Sequence, residues 1–396
     1  MSIEVSKIVQ AVEPSATLAM SAKAKELVAA GHKVYNLSVG EPDFKTPQHI
    51  IDAAVEAMNA GHTHYTPATG ILPLKEAIVA DFQKRFGLTY KPTQCVVSNG
   101  AKHALHNAFF ATLNPGDEAI LPAPCWVSYA ELIKLTGATP KIVATTEATG
   151  FKLTPDAFRA AITPKTRMLL LCNPSNPTGS CYTKEELEAL ADVAIENDLF
   201  VIADEIYERL VYGDATFTSF PTVRDGLQDR VIVINGVSKT YAMTGWRIGW
   251  LLAPDNVAKK VASLQSQETS NPCSISQYAA LAGITGDQAP VEAMKAEFAK
   301  RREYVTQRIA DIPGLSAPAM DGAFYAFMNI QNFLGRKYGG VQVDTDKDWC
   351  LELLQQKKVA TVFGSAFFAE GYARASFAAS METLENAFDA IADFVK

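Results

Sequence analysis

The sequence predicts an α/β protein in which a large domain with a mostly parallel central sheet is joined to a smaller α+β domain. Two observations support this fold class. Between about residues 93 and 252, apolar runs of strand length alternate with segments whose apolar residues recur at helical spacing. After about residue 287, a long charged helical segment precedes short alternating runs. We therefore expect a large domain at 46–286 and a small domain built from 1–45 and 287–396.

The strands of the large domain are placed by their apolar runs and by the breaks that follow them. The clearest runs are 94–98, 168–172, 199–203 and 230–235. The first leads through Asn99 and Gly100 into a helical pattern. The second ends at NPSNPTG, where two prolines and a glycine exclude regular structure. Thr183 and Glu186 have the spacing of a capping box, which predicts a helix that begins at Thr183.

Three of these strands end near polar or reactive residues. NPSNPTG follows the strand at 168–172, Asp204 follows the next strand, and Lys239 follows the strand at 230–235. Because the carboxyl ends of parallel strands meet at one edge of a sheet, we expect these residues to lie together where such sheets bind ligands. Strand alternation predicts that Glu205 points away from Asp204.

Composition narrows the possible functions. The 396 residues carry a formal net charge of −7, which argues against a nucleic-acid partner because phosphate binding needs a concentrated basic surface. No stretch approaches the roughly 18 apolar residues of a membrane span, so we expect a cytoplasmic protein without a membrane partner or a targeting segment. Six cysteines without CxxC spacing favour reduced, buried thiols over a zinc site or a disulfide framework.

Two histidines are the candidate metal ligands. His103 and His106 share one face of a predicted helix, a spacing that suits a metal ion. No carboxylate or cysteine set accompanies them in the sequence, so helix packing is the favoured interpretation. We expect no metal site.

The strongest chemical signal is the segment GVSKTYAMTGWRIG (236–249). Lys239 lies in a turn rich in glycine and serine, and Arg247 follows eight residues later, which combines an amine nucleophile with an anion-binding guanidinium. Apolar residues at 246, 248 and 250 predict apolar surroundings for Arg247, where an unpaired guanidinium would be costly. An exposed surface lysine and a buried ion pair are the alternative interpretations.

At this segment the sequence resembles the signature of the class I/II aminotransferases of fold type I, which bind pyridoxal 5′-phosphate (PLP). The resemblance extends over nearly the whole chain, because eight more motifs of the family occur in the same order. One is NPSNPTG (173–179), and the other seven are SVGEPDF (38–44), YTPATG (65–70), SNGAK (98–102), CWVSY (125–129), ADEIY (203–207), GAFY (322–325) and YARASFA (372–378). The chain is most similar to the prokaryotic-type aspartate aminotransferases, a subgroup that also contains prephenate aminotransferases. The resemblance implies the fold type I of PLP-dependent transferases, PLP as cofactor, and amino-acid and 2-oxo-acid substrates.

The resemblance assigns the cofactor ring to the expected edge of the sheet. Lys239 would bind PLP covalently and move a proton between substrate and cofactor. Asp204 would pair with the protonated ring nitrogen, while Asn176 and Tyr207 would donate hydrogen bonds to the phenolic oxygen. Trp126 would stack on the ring, and both Trp126 and Asn176 would also contact the substrate. Taken alone, Asn176 before a proline favours a turn residue, Trp126 suits a packed core as well, and a structural carboxylate pair is the alternative for Asp204.

The start of the predicted helix would hold the cofactor phosphate, because unsatisfied N–H groups and the helix dipole favour an anion there. The resemblance assigns this role to the backbone of Gly100, Ala101 and Lys102, with the side chains of Arg247 and Ser238. Tyr65 resembles a tyrosine that reaches the phosphate from the neighbouring subunit. It therefore implies a homodimer with shared active sites.

Two cationic side chains are the expected substrate contacts. Arg374 would bind the α-carboxylate bidentately, and the backbone of Gly40 would approach the same carboxylate, although a simple turn glycine is an alternative. Lys102 matches a lysine that meets the distal carboxylate of a dicarboxylic substrate, although a phosphate ligand or an exposed helix lysine would look the same. Thr17 matches a threonine that accompanies this lysine in relatives that accept prephenate.

These assignments predict ping-pong transamination in which L-aspartate and 2-oxoglutarate give oxaloacetate and L-glutamate. A glutamate/aspartate-prephenate aminotransferase, another amino-acid aminotransferase and a PLP-dependent C–S lyase are the alternative enzymes. A non-catalytic PLP-binding regulatory module is disfavoured, because Lys239, Asp204 and Arg374 are all present and a mere binder does not need the substrate-binding arginine.

Three positions depart from the family pattern near the expected pocket. Phe363 replaces a usual proline before Gly364, Phe368 stands where a small residue is common, and Glu268 occupies a usually uncharged position. A change of the substrate pocket at these positions would alter the amino-acid preference, which the sequence therefore leaves open, but not the cofactor chemistry.

Overall fold

The computed structural model describes residues 3–396, and its strands and helices alternate through the middle of the chain. The strands are β1 (Tyr35–Asn36), β2 (Cys95–Ser98), β3 (Glu118–Ala123), β4 (Thr139–Ala144), β5 (Thr166–Cys172), β6 (Phe200–Asp204), β7 (Val231–Gly236), β8 (Gly249–Leu252), β9 (Tyr325–Asn329), β10 (Arg336–Tyr338), β11 (Val341–Val343), β12 (Val359–Ala360), β13 (Val362–Phe363) and β14 (Tyr372–Ser376). The helices are α1 (Lys7–Gln10), α2 (Ala16–Ala29), α3 (Gln48–Asn59), α4 (Leu72–Phe86), α5 (Ala101–Thr112), α6 (Ser128–Leu135), α7 (Pro155–Ala161), α8 (Lys184–Glu196), α9 (Val237–Thr240), α10 (Asp255–Glu268), α11 (Ser274–Thr285), α12 (Ala289–Ala310), α13 (Asp346–Lys357) and α14 (Met381–Phe394).

Seven strands form the central sheet in the order β2-β8-β7-β6-β5-β3-β4. The four predicted apolar runs correspond to β2, β5, β6 and β7, and the pairs from β7 through to β4 are parallel. The prediction of a mostly parallel sheet is therefore confirmed. The run that ends at Leu252 differs, because β8 is antiparallel to both β7 and β2. Its connection from β7 holds only short helical turns, and a parallel return needs a longer crossover.

Apolar cores cover both faces of this sheet. Along β6, Val201 and Ala203 pack in one hydrophobic cluster, while Ile202 between them packs in the cluster on the opposite face. Burial on both faces explains why these strands are continuous apolar runs rather than alternating ones. Truncating the fully buried Ile202 to alanine should cost about 2–5 kcal/mol of unfolding free energy. The polar groups that remain at the strand ends are therefore held on a rigid support.

Helix α8 begins as the sequence predicts. Thr183 is its N-cap: the Thr183 hydroxyl accepts from the Glu186 backbone N–H, and the Thr183 backbone N–H donates to the Glu186 carboxylate, which completes the capping box. The preceding NPSNPTG segment has no regular structure, and this prediction is also confirmed. This loop can therefore place its side chains at the edge of the sheet.

A second apolar core joins the two ends of the chain. β1 pairs in parallel with β12, and the antiparallel sheet β13-β14-β9 packs in the same cluster as α12, α13 and α14. The predicted long charged helix is α12. Residues 206–212 of the central part of the chain also contribute to this core. The strand β14 is thereby brought to the edge of the central sheet.

No helix among residues 3–396 is both long and apolar enough to cross a membrane.

Candidate active site

A cavity of about 480 Å³ opens at the carboxyl ends of β5, β6 and β7, where helix α2 and strand β14 approach the sheet. Most predicted site residues line it: Thr17, Gly40, Ala101, Lys102, Trp126, Asn176, Asp204, Tyr207, Ser238, Lys239, Arg247 and Arg374. Gly100 directly precedes this lining at the start of α5. Tyr65 does not line the cavity of the single chain.

Lys239 lies in the short helix α9, directly after the end of β7. Its Nζ donates a hydrogen bond of 2.5 Å to the carbonyl oxygen of Gly40. Burial lowers the pKa of Lys239 to about 8, against the opposing charge of Glu41 and with the help of Arg374. A larger share of the side chain is consequently neutral near pH 8 than for an ordinary lysine, as a nucleophile or proton acceptor requires.

Asp204 ends β6 and is almost fully buried. The Tyr129 hydroxyl donates to its Oδ2 at 2.6 Å, and the Ile206 backbone N–H donates to its Oδ1 at 3.2 Å. Burial raises the pKa of Asp204 to about 6, and the hydrogen bond from Tyr129 opposes this rise. The result is a carboxylate at the floor of the cavity that accepts hydrogen bonds.

Glu205 points away from the cavity, as strand alternation predicts. Its carboxylate accepts hydrogen bonds from the Ser219 hydroxyl and the Phe220 backbone N–H. Burial raises the pKa of Glu205 to about 8. Of the two adjacent carboxyl groups, only that of Asp204 faces a ligand-sized space.

Arg374 lies on β14 with 1% of its surface exposed. Its Nη1 donates to the Asn176 side-chain oxygen at 3.0 Å, and its Nη2 donates to the Ser38 carbonyl oxygen at 2.8 Å. The guanidinium also lies over the Tyr325 ring at 4.4 Å, and its Nε has no partner among the described residues. No carboxylate of residues 3–396 forms an ion pair with it. A buried cation without a counter-ion is costly, so this site suits an anionic ligand.

Tyr207 also belongs to the buried part of the cavity. Its hydroxyl lies 2.8 Å from that of Tyr325, and burial raises the pKa of both phenols. Tyr325 lies under Arg374 and beside Gly40, where an added Cβ would come within 2.7 Å of the Tyr325 hydroxyl. A side chain at position 40 would thus displace the aromatic support of the arginine.

The start of α5 and Arg247 form a corner suited to an anion. Gly100 caps the helix with φ 85°, and no side chain accepts from the first turn of the helix. An added Cβ at Gly100 would overlap the Arg247 guanidinium. The buried Ser238 lines the same cavity. Helix N–H groups, a guanidinium and a hydroxyl are a donor set that fits a phosphate.

One sequence interpretation of this corner is wrong. Arg247 is exposed at the edge of the cavity and donates to the carbonyl oxygens of Thr244 and Asn99. The apolar neighbours instead pack inside the sheet, since Ile248 and Trp250 belong to its hydrophobic core. Arg247 has the left-handed φ of 58°, which turns its side chain away from that core.

The rim of the cavity carries the remaining predicted residues. Lys102 is exposed, and its Nζ lies 4.7 Å above the half-buried ring of Trp126. Partial desolvation and the charge of Arg247 lower the pKa of Lys102. Thr17 lies on α2, and its hydroxyl is buried and has no hydrogen-bond partner among the described residues. Tyr65 is 91% exposed, outside this lining.

The two histidines of α5 bind a carboxylate from another helix. His103 Nε2 and His106 Nε2 lie 3.3 and 3.0 Å from the oxygens of Glu268, the last residue of α10. They thus pack the two helices together, as the sequence interpretation favours. Within residues 3–396, no group of three or more histidine, cysteine, aspartate or glutamate side chains is arranged to hold a metal ion.

Three residues that depart from the family pattern, Glu268, Phe363 and Phe368, lie outside the lining of the cavity in the single chain. Phe368 is 39% exposed, and Phe363 pairs with Ala373 on the sheet beside it. The phenylalanine that contacts Arg374 is Phe367, whose ring centroid lies 5.0 Å from the guanidinium carbon.

Comparison with known proteins identifies the family. Residues 32–391 match the family model for aminotransferase class I and II. The chain belongs to this aminotransferase family. It is 45% identical over 394 residues to an aspartate aminotransferase of Geobacillus stearothermophilus, and the matched region covers 100% of this chain and 99% of that relative. It is also 45% identical over 378 residues to an aspartate/prephenate aminotransferase of Cereibacter sphaeroides, and the matched region covers 95% of this chain and 94% of that relative.

A solved aminotransferase structure has the same fold. The aspartate aminotransferase of Thermus thermophilus, determined with maleate, superposes with a TM-score of 0.93 at 39% identity and covers 99% of this chain and 100% of that chain. The protein is therefore an aminotransferase of fold type I, and aminotransferases of this type depend on PLP.

The cavity of this aminotransferase fits PLP. It offers an amine at Lys239, a buried carboxylate at Asp204 for the ring nitrogen, and a phosphate-sized donor set at the start of α5. The sequence did not predict a role for two further residues of the site. Tyr129 donates a hydrogen bond to Asp204, and the ring of Tyr325 lies against the Arg374 guanidinium. Both lie within quoted motifs, CWVSY and GAFY, but a motif does not indicate which of its members contacts a charged group.

Proposed function

We propose that this aminotransferase transfers the amino group of L-aspartate to 2-oxoglutarate, which gives oxaloacetate and L-glutamate. The observation that supports it is the pair of cations on two sides of one cavity. Arg374 is buried without a carboxylate partner, and Lys102 lies at the rim over Trp126. A dicarboxylic substrate presents one carboxylate to each. Relatives named aspartate aminotransferase and one solved with the dicarboxylate maleate agree with this proposal.

Each buried residue has a role in the proposed chemistry. When bound, PLP withdraws electrons from the substrate Cα, which makes the Cα proton acidic. Lys239 would hold the cofactor covalently, and its Nζ, as a free amine, would move that proton. The lowered pKa suits this role because a neutral amine must accept the proton. Asp204 would pair with the ring nitrogen of the cofactor, and Asn176 and Tyr207 would donate hydrogen bonds to its phenolic oxygen.

The substrate is oriented by the opposite wall. Arg374 would bind the α-carboxylate with its guanidinium, and the backbone of Gly40, which lines the same cavity, would approach that carboxylate. Tight orientation of the Cα–H bond relative to the cofactor ring is worth several orders of magnitude in rate. Trp126 would stack on the cofactor ring and, with Asn176, would contact the substrate.

The phosphate of the cofactor would be held at the corner formed by α5 and Arg247. The proposed ligands are the backbone of Gly100, Ala101 and Lys102 and the side chains of Ser238, Arg247 and, from a second subunit, Tyr65. The 91% exposure of Tyr65 supports a contact outside its own chain. We therefore propose a homodimer with shared active sites.

Domain boundaries and location complete the proposal. The core that joins β1 to β12 supports a small domain of 1–45 with 287–396, beside a large domain of 46–286. All six cysteines are free, which suits a reducing compartment such as the cytoplasm.

Prephenate is the second candidate amino acceptor. Thr17 lies at the rim with an unpartnered hydroxyl, and a relative of 45% identity is named aspartate/prephenate aminotransferase. A threonine hydroxyl in the same cavity as Lys102 suits an acceptor that carries both a second carboxylate and a hydroxyl group.

The test is a single-turnover measurement on the PLP-loaded protein. The absorbance change from the PLP form to the pyridoxamine phosphate form is followed with aspartate, glutamate, phenylalanine and cysteine, and the reverse change with 2-oxoglutarate and prephenate. We expect fast conversion with aspartate and glutamate. Pyruvate release from cysteine without pyridoxamine phosphate would instead establish a lyase. Faster conversion with phenylalanine than with aspartate would overturn the dicarboxylate preference.

A further inference from the structure

Tyr129 is a buried tyrosine at the floor of the cavity. It lies in the first turn of α6, is 1% exposed, and lines the cavity together with Asp204. The distance of 2.6 Å between its hydroxyl and Asp204 Oδ2 is typical of a hydrogen bond from a hydroxyl to a carboxylate. Such bonds are roughly twice as strong as neutral ones.

Both oxygens of Asp204 accept a hydrogen bond. Oδ2 accepts from Tyr129 and Oδ1 accepts from the Ile206 N–H. No cation among residues 3–396 forms an ion pair with this carboxylate. A protonated Asp204 carboxyl group would carry an O–H donor, but the two groups that contact its oxygens are themselves donors. These contacts therefore favour the ionised form, which burial alone disfavours.

The position of Tyr129 is itself fixed by its neighbours. The Trp126 ring packs edge-on against it, with the ring centroids 5.3 Å apart and the planes at 88°. Asp204 in turn lies opposite Cys172 in the register of β5 and β6. The hydroxyl thus meets a carboxylate held by the sheet, and small shifts of either partner are opposed by packing.

We propose that Tyr129 is a positioning residue that keeps Asp204 an ionised acceptor aimed at the protonated ring nitrogen of the cofactor. This inference rests on the proposed role of Asp204 and is independent of the aspartate preference. The pKa of Asp204, raised to about 6 by burial, is held down by the Tyr129 hydroxyl. Removal of the hydroxyl should therefore weaken the carboxylate as a partner of a cationic ring.

The test compares two non-covalent ligands on the unloaded protein and its variants. One is pyridoxamine 5′-phosphate, and the other is its analogue in which a C–H group replaces the ring nitrogen. Neither needs a covalent bond to Lys239, and only the first can pair with Asp204. Dissociation constants are measured by fluorescence titration for the wild-type protein, Tyr129→Phe, Asp204→Asn and the double variant.

Tyr182→Phe is the matched control. Tyr182 is also a buried tyrosine, but its hydroxyl accepts from the Leu153 N–H and it does not line this cavity. Both substitutions remove one hydroxyl from a buried ring. The control therefore reports the general effect of that loss on the fold.

We expect Tyr129→Phe to bind pyridoxamine phosphate about tenfold to a hundredfold more weakly, as for loss of one hydrogen bond to a charged group. Binding of the analogue should change less than about twofold. The double variant should lose little more than Asp204→Asn alone, because Tyr129 acts through Asp204. Tyr182→Phe should leave both constants near the wild-type values.

An equal loss of both ligands in Tyr129→Phe would mean a merely structural role and would overturn the proposal. No loss of either ligand would overturn it as well. Since no amino acid is present in these titrations, their result is separate from the test of substrate preference. A protein that binds both ligands as expected but fails to convert aspartate would refute only the proposed function.

Discussion

The floor and the rim of the cavity are built differently. The floor residues Asp204, Lys239 and Arg374 are held at or near strands by packing and by hydrogen bonds to neighbouring groups. Lys102 at the rim and Tyr65 outside the lining are exposed and lie on a helix start and a loop. The groups proposed to act on every substrate thus lie on rigid strand ends, while the groups proposed to meet the variable part of a substrate or a second subunit lie at exposed positions.

The largest expected effect comes from the floor. Lys239→Ala should lower kcat by at least about 10⁴-fold, because it removes both the covalent anchor and the group that moves the proton. Steady-state transamination of aspartate measures this loss. Lys337→Ala, at an exposed position on β10, is the control and should keep its activity. Turnover by Lys239→Ala within tenfold of wild type would remove Lys239 from the mechanism.

Arg374→Lys should have the next largest effect. It keeps the charge but loses the planar fork, so kcat/KM should fall about a hundredfold for aspartate, alanine and phenylalanine alike. The control is Arg301→Lys, since Arg301 is also buried but pairs with Asp43 outside the cavity. If Arg374→Lys hurt only aspartate, this arginine would contact the distal carboxylate rather than the shared α-carboxylate.

Much of the floor could be predicted from the sequence because its signals are local. An apolar run predicts a strand, the residue after it lies at the sheet edge, and Asp204 and Lys239 are both placed in this way. The antiparallel direction of β8 was not predicted, since it depends on the length of the connection and not on the strand itself. The resemblance supplied Arg374, whose approach to the site depends on contacts between distant segments.

The rim was predicted less well. The apolar residues around Arg247 predicted a buried guanidinium. Neighbouring residues of that segment face opposite sides, however, and the guanidinium is exposed. Phe363, Phe368 and Glu268, which depart from the family pattern, lie outside the lining of the cavity. Tyr129 supports Asp204 across two different strand-loop units, and no sequence spacing encodes that contact.

A smaller effect should separate the rim from the floor. Lys102→Ala should lower kcat/KM for aspartate and glutamate about tenfold to thirtyfold, because one partly desolvated charge contact is lost. Alanine and phenylalanine should change less than about twofold, since they have no distal carboxylate. Lys91→Ala, an exposed lysine paired with Asp255, is the control. An equal loss for all four amino acids would assign Lys102 to the cofactor phosphate instead.

The smallest expected effect is a pH dependence that distinguishes a floor lysine from an ordinary one. Burial lowers the pKa of Lys239 to about 8, so its neutral, nucleophilic fraction grows until the pH passes about 8 and then levels off. The rate of covalent PLP attachment to the unloaded protein should therefore rise about tenfold between about pH 7 and pH 9 and flatten above that range. An N-acetyl-lysine amide, whose amine has the ordinary pKa near 10.4, should show about a hundredfold rise over the same range with no plateau. Stopped-flow absorbance measures both rates. A protein rate that kept rising in parallel with the free amine would mean that Lys239 is not desolvated, and the contrast between a buried floor and an exposed rim would then not extend to the reactivity of this amine.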